Sequence, residues 1–352
     1  MRKLAQCVDW QTVLKEKKRV LPLAALALGL MSLTRAQVPV LQQDGPSSSS
    51  LSRQLADLQM EPSRHAELAR AIHDRDYRAA EKTLVEEAER DPKSPRSAKL
   101  LAIAAGVFFL DGQYTNAVIA WKKAEAIEPL DDRSRFTLAM AYIKLNRRDW
   151  ASSELEKLAV AQPQNPLFLY WLGRLDYDER NYNSAVARLQ RVIVLDPKMA
   201  RAYDSLGLCF DYLGRFDEAV KNYNQAVELN RLQPKPSPWP HVDLAISLIA
   251  LNQLPEAEKS LREAIGYDAR LPQAHYQLGR VLEMQGAYQA AGESLKIAIG
   301  LAPDYPEPHY LLGRIYHRLG NEALSEAEIG RFRELKKAGE AQARPETEQR
   351  QN

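Results

Sequence analysis

The sequence predicts an all-α protein built from stacked helix-turn-helix units, an α-solenoid. Two observations lead to this prediction. The Gly of a Leu-Gly pair is found at residues 173 and 207, which are 34 positions apart, and again at residues 279 and 313, which are also 34 positions apart. An Ala recurs in phase, twelve positions after the first three of these glycines. A fixed period of this length is the signature of a repeat protein, in which each unit contacts only its neighbours.

The repeat period extends beyond the glycines. The recurring small residue is found at Ala105, Ala139, Gly173, Gly207, Ala245, Gly279 and Gly313. The Ala marks are Ala117, Ala151, Ala185, Ala219, Ala257 and Ala291, and a third set is Pro129, Pro163, Pro197 and Pro303. In each of the three sets, one interval is four residues longer than a multiple of 34. That interval contains the Pro-rich segment LQPKPSPWP at 232–240. We interpret that segment as an insertion loop between two units.

Close helix packing explains the small residues. A Gly or Ala lets the paired helix approach closely, and a large residue four positions after each Ala mark can fill the space between them. These large residues are Trp121, Leu155, Leu189, Tyr223, Leu261 and Leu295. We therefore interpret Leu-Gly as a packing device, repeated because every unit needs it.

The pattern resembles the tetratricopeptide repeat, whose 34-residue signature combines an aromatic residue, Leu-Gly, a Tyr, an Ala followed by an aromatic residue, and a closing Pro. The resemblance implies a right-handed superhelix in which the first helix of each unit lines a concave groove. It covers eight units: 61–94, 98–131, 132–165, 166–199, 200–233, 238–271, 272–305 and 306–339. In the last three units His241, His275 and His309 occupy the position usually held by the signature Trp.

The two ends of the chain have other compositions. The basic stretch KEKKR at 15–19 precedes an apolar run at 20–33, and Thr34 and Ala36 fit a cleavage site. Because this run is shorter than the roughly 20 residues that span a bilayer, we expect a signal peptide at 1–36 and a periplasmic or secreted protein. The alternative is a membrane anchor at 20–33. We expect a flexible linker at 37–60 and a polar tail at 340–352.

Composition and charge limit the possible functions. Apolar residues make up 45% of the 352 residues and charged residues 27%, as in an ordinary soluble protein. The net charge is +2, but the first 36 residues hold seven basic and two acidic residues, which leaves −3 for the remainder. A nearly neutral body gives no electrostatic reason to expect nucleic-acid binding.

Catalytic and metal-binding patterns are not found in the sequence. The three histidines at 34-residue intervals would lie in successive units, too far apart to hold one ion, so we expect them to pack or face solvent. Cys209 is expected to be a buried structural thiol. We find no phosphate loop, paired Cys or metalloprotease signature. The expectation is a monomer that is not an enzyme and that has no cofactor, metal site or catalytic residue.

Tyr and Arg flank three of the Leu-Gly pairs, in YWLGR, YQLGR and YLLGR. On a helix they lie on a different side from the Leu, and the resemblance implies that they point into the groove. Guanidinium groups and aromatic rings there suit an extended peptide. The predicted partner-binding residues are Tyr170, Arg174, Tyr177, Tyr276, Arg280, Tyr310 and Arg314, with Phe136, Asp204, Asp211, Tyr212 and Glu283 on the same surface.

The alternative for these residues is structural. Arg174 could pair with Asp178, Asp204 or Asp211, and the rings could pack between units. For the whole protein, the leading hypothesis is a scaffold outside the cytoplasm that binds a protein or peptide partner. The alternative is a regulatory or substrate-presenting subunit of an envelope enzyme that acts on polysaccharide or cell wall, and an intrinsic hydrolase activity is the least expected.

Overall fold

The computed structural model describes residues 51, 54, 55, 58 and 60–343. The described residues are helical with connecting turns and contain no strand, so the predicted all-α class is confirmed. The predicted signal peptide lies outside the described residues, as do most of the predicted linker and the chain beyond residue 343. The described chain divides into two compact units, one ending at Leu145 and the other beginning at Asn146.

Unit 1 contains five helices that pack in chain order. They are α1 (Pro62–His73), α2 (Tyr77–Glu89), α3 (Pro95–Leu110), α4 (Tyr114–Glu125) and α5 (Asp132–Lys144). The helix α3 begins three residues before the predicted unit boundary at 98. Ser94 explains this early start, because its side chain accepts a hydrogen bond from Ser97 N at 3.1 Å and a Pro occupies the first helical position.

Unit 2 contains eleven helices, again with each helix contacting the next. They are α6 (Arg148–Ala161), α7 (Pro166–Asp178), α8 (Tyr182–Leu195), α9 (Ala200–Tyr212), α10 (Phe216–Arg231), α11 (Trp239–Ala250), α12 (Leu254–Tyr267), α13 (Pro272–Met284), α14 (Tyr288–Leu301), α15 (Pro306–Arg318) and α16 (Glu322–Ala343). The last helix runs past the predicted end of the repeats at 339.

The turn inside each helix pair has one residue with positive φ. Four of these residues are Gly112, Gly214, Gly286 and Gly320, and the other four are Arg75, Asn146, Arg180 and Asn252. Glycine adopts this conformation without steric cost, whereas a residue with a Cβ pays roughly 1–2 kcal/mol. The turn geometry is therefore kept even where the sequence lacks the residue that favours it.

The predicted insertion loop between α10 and α11 is held by a buried amide. Asn230 is buried; its Nδ2 donates to the Ser237 carbonyl at 2.8 Å, and its Oδ1 accepts from Ser237 N at 2.9 Å. The loop thus absorbs the four extra residues without separating the two helices, which contact each other.

The interpretation of Leu-Gly as a packing device is confirmed. A Cβ added to Gly173 would lie 3.0 Å from Leu189, and one added to Gly279 would lie 2.7 Å from Leu295. The tightest approach is at Gly207, where a Cβ would lie 2.5 Å from Cε1 of Tyr223. At Gly207 and Gly279 an added Cβ would therefore force a neighbouring side chain to move, and at Gly173 it would make an unusually tight contact.

The described part of the predicted linker differs from the expectation of a flexible segment. Leu51, Leu55 and Leu58 are buried and belong to the core of unit 1. The Nε2 atom of His65 lies 3.0 Å from the Leu55 carbonyl oxygen. Burial of three leucines stabilises unit 1, because it removes their apolar surface from water.

Candidate functional site

The first helices of successive repeats form the surface on which the predicted binding residues lie. In unit 2 these are α7, α9, α11, α13 and α15, and each contacts the next one in addition to its own second helix. Side chains that project from these five helices, away from the second helices, lie on one face of unit 2. We call it the first-helix face of unit 2.

At the α7 end of this row the predicted residues are buried. Tyr170, Arg174 and Tyr177 are 2%, 3% and 4% exposed, so the expectation that they are open to a partner is wrong. The Arg201 guanidinium covers the Tyr170 ring at 4.6 Å, and the Arg174 guanidinium lies 5.3 Å from the centre of the Tyr177 ring. The rings of Tyr170 and Tyr177 therefore make contacts within unit 2.

Arg174 is a buried charge held by its surroundings. Desolvation alone would lower the pKa of Arg174, but the nearby groups of Tyr170, Asp178, Tyr177 and Asp204 outweigh it, so the pKa is raised. The guanidinium therefore stays charged in the interior. Two of the three acids named in the structural alternative, Asp178 and Asp204, are among these neighbours.

A tyrosine cluster continues from this point. The rings of Tyr182 and Tyr212 are stacked, with centroids 4.8 Å apart, and each meets the ring of Tyr177 edge-on. Burial is the main reason why the pKa of Tyr212 is raised. Tyr212, predicted to lie on the binding surface, is thus part of an internal aromatic contact between α7, α8 and α9.

Asp211 lies at the centre of a hydrogen-bond network between three helices. Its Oδ1 accepts from Ser247 Oγ at 2.6 Å, and its Oδ2 accepts from Tyr223 OH at 2.9 Å. The pKa of Asp211 is raised to about 7: desolvation is the largest cause, the two hydrogen bonds oppose it, and the carboxylate of Asp243 adds to it. The carboxyl group of Asp211 is therefore protonated at mildly acidic pH in the folded state.

This carboxyl group should make stability depend on pH. The folded state binds the Asp211 proton more tightly than the unfolded state, so its contribution to stability is fully present below pH 4 and is lost as pH rises to 7. Between pH 4 and pH 7 the free energy of unfolding of the wild type should fall by roughly 3 kcal/mol relative to that of Asp211→Asn, because a tenfold change in proton affinity corresponds to about 1.4 kcal/mol.

Urea unfolding at several pH values from 4 to 8 measures this difference. The matched control is Asp304→Asn, which removes the same charge from a side chain that is 92% exposed and should stay within about 1 kcal/mol of wild type throughout. Parallel stability curves for wild type and Asp211→Asn would contradict the assignment.

At the other end of the row, the predicted residues are more exposed than those on α7. Tyr276 and Arg280 lie on α13 and are half-buried, whereas Tyr310 and Arg314 lie on α15 and are exposed. The Arg280 guanidinium is 5.9 Å from the centre of the Tyr276 ring, and that of Arg314 is 6.0 Å from the centre of the Tyr310 ring. We call these four residues the C-terminal Tyr/Arg surface.

The polar partners of the two arginines differ. Arg280 Nη1 donates to the side-chain oxygen of Gln277 at 2.7 Å, whereas Arg314 Nη2 donates to Glu283 Oε1 at 3.0 Å. Arg318 also approaches this carboxylate, at 3.9 Å, and stacks on the Tyr288 ring at 5.5 Å. The predicted surface residue Glu283 is thus shared by two guanidinium groups.

Comparison with known proteins agrees with this geometry. Residues 200–232 and residues 242–306 match family models described as tetratricopeptide repeat. The chain contains tetratricopeptide repeats. Comparison with curated proteins finds no match.

Solved structures share the fold at low identity. A tetratricopeptide repeat protein from Parabacteroides merdae is 16% identical, with a TM-score of 0.57 over 72% of this chain and 97% of the other. PilW, described as a type IV pilus biogenesis factor, is 18% identical, with a TM-score of 0.52 over 56% of this chain and 90% of its own. PilF of Pseudomonas aeruginosa is 18% identical, with a TM-score of 0.51 over 60% and 94%.

Tetratricopeptide repeats, like other stacked repeats, offer extended surfaces to other proteins. The fold of this chain therefore supports a protein-interaction scaffold. Within the tetratricopeptide pattern, the C-terminal Tyr/Arg surface occupies equivalent positions on two neighbouring first helices, since residues 276 and 310 and residues 280 and 314 are one period apart.

The histidines at the signature Trp position are packing residues. His241, His275 and His309 are buried. His275 Nε2 lies 3.0 Å from the Ala269 carbonyl oxygen, and His309 Nδ1 lies 2.6 Å from Glu328. Within the described residues, no three His, Cys, Asp or Glu side chains converge as a metal site requires.

Cys209 is fully buried, as predicted, and burial raises the pKa of its thiol to about 12, so that the nucleophilic thiolate is disfavoured.

None of the described helices combines the length and apolar character needed to cross a bilayer. Arg318 and Tyr288, which lie beside the C-terminal Tyr/Arg surface, were not among the predicted partner-binding residues, although Arg318 lies one helical turn after Arg314.

Proposed function

We propose that this chain is a non-enzymatic scaffold that works outside the cytoplasm and binds a protein or peptide partner along the first-helix face of unit 2. The observation that carries the proposal is the C-terminal Tyr/Arg surface, where one Tyr/Arg pair is exposed and the pair one repeat before it is half-buried. Their counterparts at Tyr170 and Arg174 are buried and serve the fold.

The chemistry of this surface suits protein recognition. Tyr and Arg are the residue types most enriched, with Trp, among the side chains that dominate binding energy at interfaces. A guanidinium group binds a carboxylate with two parallel hydrogen bonds, and such charge-assisted bonds are about twice as strong as neutral ones. The exposed ring of Tyr310 beside the Arg314 guanidinium adds apolar contact area.

Replacing both accessible arginines should weaken partner capture. The double variant Arg280→Ala and Arg314→Ala should retain much less partner than wild type when equal amounts of folded protein are incubated with envelope extract. Thermal stability should change little, because exposed ion pairs contribute only about 0–1 kcal/mol. Quantitative mass spectrometry of the captured proteins and a melting curve measure the two effects.

The control for this experiment removes the same charge elsewhere. Arg262, with 60% of its side chain exposed, and Arg333, which is also exposed, lie on second helices, and their double replacement by Ala should leave capture unchanged. Equal losses in the two double variants, or none in either, would contradict the proposed surface. Capture of an envelope polysaccharide or cell-wall enzyme would favour the alternative role as a subunit of that enzyme.

Export is a separate part of the proposal. It rests on the basic and apolar segments that precede residue 37. The mature protein recovered from the envelope should begin at Gln37, and N-terminal sequencing measures this. Recovery of the chain with Met1 intact in the soluble cytoplasmic fraction would contradict export without affecting the binding surface.

A further inference from the structure

We propose that the C-terminal Tyr/Arg surface selects an extended peptide carrying two acidic side chains three residues apart. The inference rests on the proposed function and adds the chemistry and the spacing of the partner. It follows from the charge balance of the surface and from the distance between two neighbouring first helices.

The charges on this surface do not cancel. Arg280 and Arg314 lie on it and Arg318 and Lys336 lie beside it, and the carboxylates that pair with these four cations are Glu283 and Glu307. Glu283 is shared by Arg314 and Arg318, and Glu307 pairs with Lys336 at 2.8 Å. Two positive charges are therefore left over, and a ligand with two carboxylates would balance them.

Arg280 is the clearest sign of a missing anion. In the described part of the chain, no carboxylate oxygen lies within 4 Å of its guanidinium group, which meets the Gln277 side chain and the Tyr276 ring instead. Arg314 has its single carboxylate in common with Arg318 and can donate further hydrogen bonds, since a guanidinium group has five donors. Each Tyr/Arg pair can thus accept one acidic side chain.

The spacing of the two pairs sets the spacing of the acids. Helices α13 and α15 contact each other, and contacting helices have axes about 8–10 Å apart. A polyproline II segment rises about 3.1 Å per residue with three residues per turn, so residues three apart lie on one side about 9 Å from each other. An acid at one position and a second acid three residues later would therefore meet both arginines.

The tyrosines favour the same conformation. The Tyr310 side chain is 44% exposed and lies beside the guanidinium of Arg314. Aromatic surfaces of this kind hold polyproline II segments, which lose little conformational entropy on binding. The residues between the two acids are therefore expected to be proline or other residues compatible with this conformation.

A displayed library of random peptides tests the spacing. The peptides are fused through their C-termini, which removes the free terminal carboxylate, and they are selected on the full chain. The Arg280→Ala and Arg314→Ala double variant, shown by its melting curve to be folded, serves as the counter-target. Enriched peptides that depend on the two arginines should carry Asp or Glu at positions i and i+3.

Synthetic versions of an enriched peptide then measure each acid. Changing both acids to Gln or Asn should weaken binding at least tenfold, and moving the second acid by one position should weaken it several-fold. Arginine-dependent peptides that lack this spacing would overturn the inference and leave the proposed surface standing. Peptides enriched equally on both proteins, or no enrichment on the full chain, would overturn the inference and the proposed surface together.

Discussion

Replacing Arg174 by alanine is expected to destabilise unit 2 by about 3–5 kcal/mol, because removing one partner of a buried charge network leaves the others uncompensated. Arg174 is 3% exposed and is held among Asp178, Asp204 and the rings of Tyr170 and Tyr177. Loss of the guanidinium group would remove a positive charge from the neighbourhood of Asp178 and Asp204 and leave a cavity in unit 2.

Urea unfolding followed by circular dichroism measures this loss. The matched control is Arg280→Ala, which removes the same side chain from the equivalent position three repeats further along the chain and should cost less than about 1 kcal/mol. An Arg174→Ala variant as stable as the control would show that the buried guanidinium contributes nothing to unit 2. Its assignment as a structural residue would then be wrong.

Replacing Gly207 by alanine should cost about 1–3 kcal/mol, because the added methyl group has no space. Its Cβ would lie 2.5 Å from Cε1 of Tyr223. That ring is fully buried, and its hydroxyl group donates to Asp211, so it cannot move away without breaking the bond. The α9 and α10 helices would have to separate instead.

The control for Gly207 is Gly266→Ala in α12. Gly266 is a helical glycine with nothing within 4 Å of the added Cβ, so the change should be neutral or stabilise the protein by up to about 1 kcal/mol. Melting curves of the two variants measure the difference. If both glycines tolerated alanine equally, close approach of α9 and α10 would not explain Leu-Gly at this repeat.

The fold could be predicted from the sequence because repetition makes the same physical requirement visible many times. Small residues at one period, such as Gly173 and Gly207, indicated close helix packing, and the structure has that packing. The residues that form the turns were harder to predict from the sequence. Arg75 and Arg180 adopt positive φ as Gly112 and Gly214 do, because the two packed helices impose the turn on whichever residue lies there.

The binding surface could be predicted only in part, because identical motifs have different neighbours. Arg174 is followed by Asp178 one turn later and by Asp204 thirty residues later. The corresponding positions after Arg280 are Met284 and Tyr310. The two acids offset part of the cost of burying the Arg174 charge, whereas Arg280 has no acid at the corresponding positions. A comparison of the repeats position by position shows this contrast.

The segment before the first repeat illustrates another reason for a missed prediction. Leu51, Leu55 and Leu58 are spaced as an apolar stripe on a helix, but they follow a run of serines that suggested a flexible linker. Their burial in the core of unit 1 depends on that unit being present. A short amphipathic stretch cannot bury its apolar side alone, so its structure is decided by its neighbour.

The central claim is that the partner is bound at the C-terminal Tyr/Arg surface. Site-specific photocrosslinking in the producing cell tests this claim most directly. A photoreactive phenylalanine derivative replaces Tyr310 on α15 in one strain and Tyr267 on the second helix α12 in another; these tyrosines are 44% and 40% exposed. The account predicts a crosslinked partner from position 310 that is lost when Arg280 and Arg314 are replaced, and none from position 267. A partner crosslinked from position 267 and not from position 310 would contradict it.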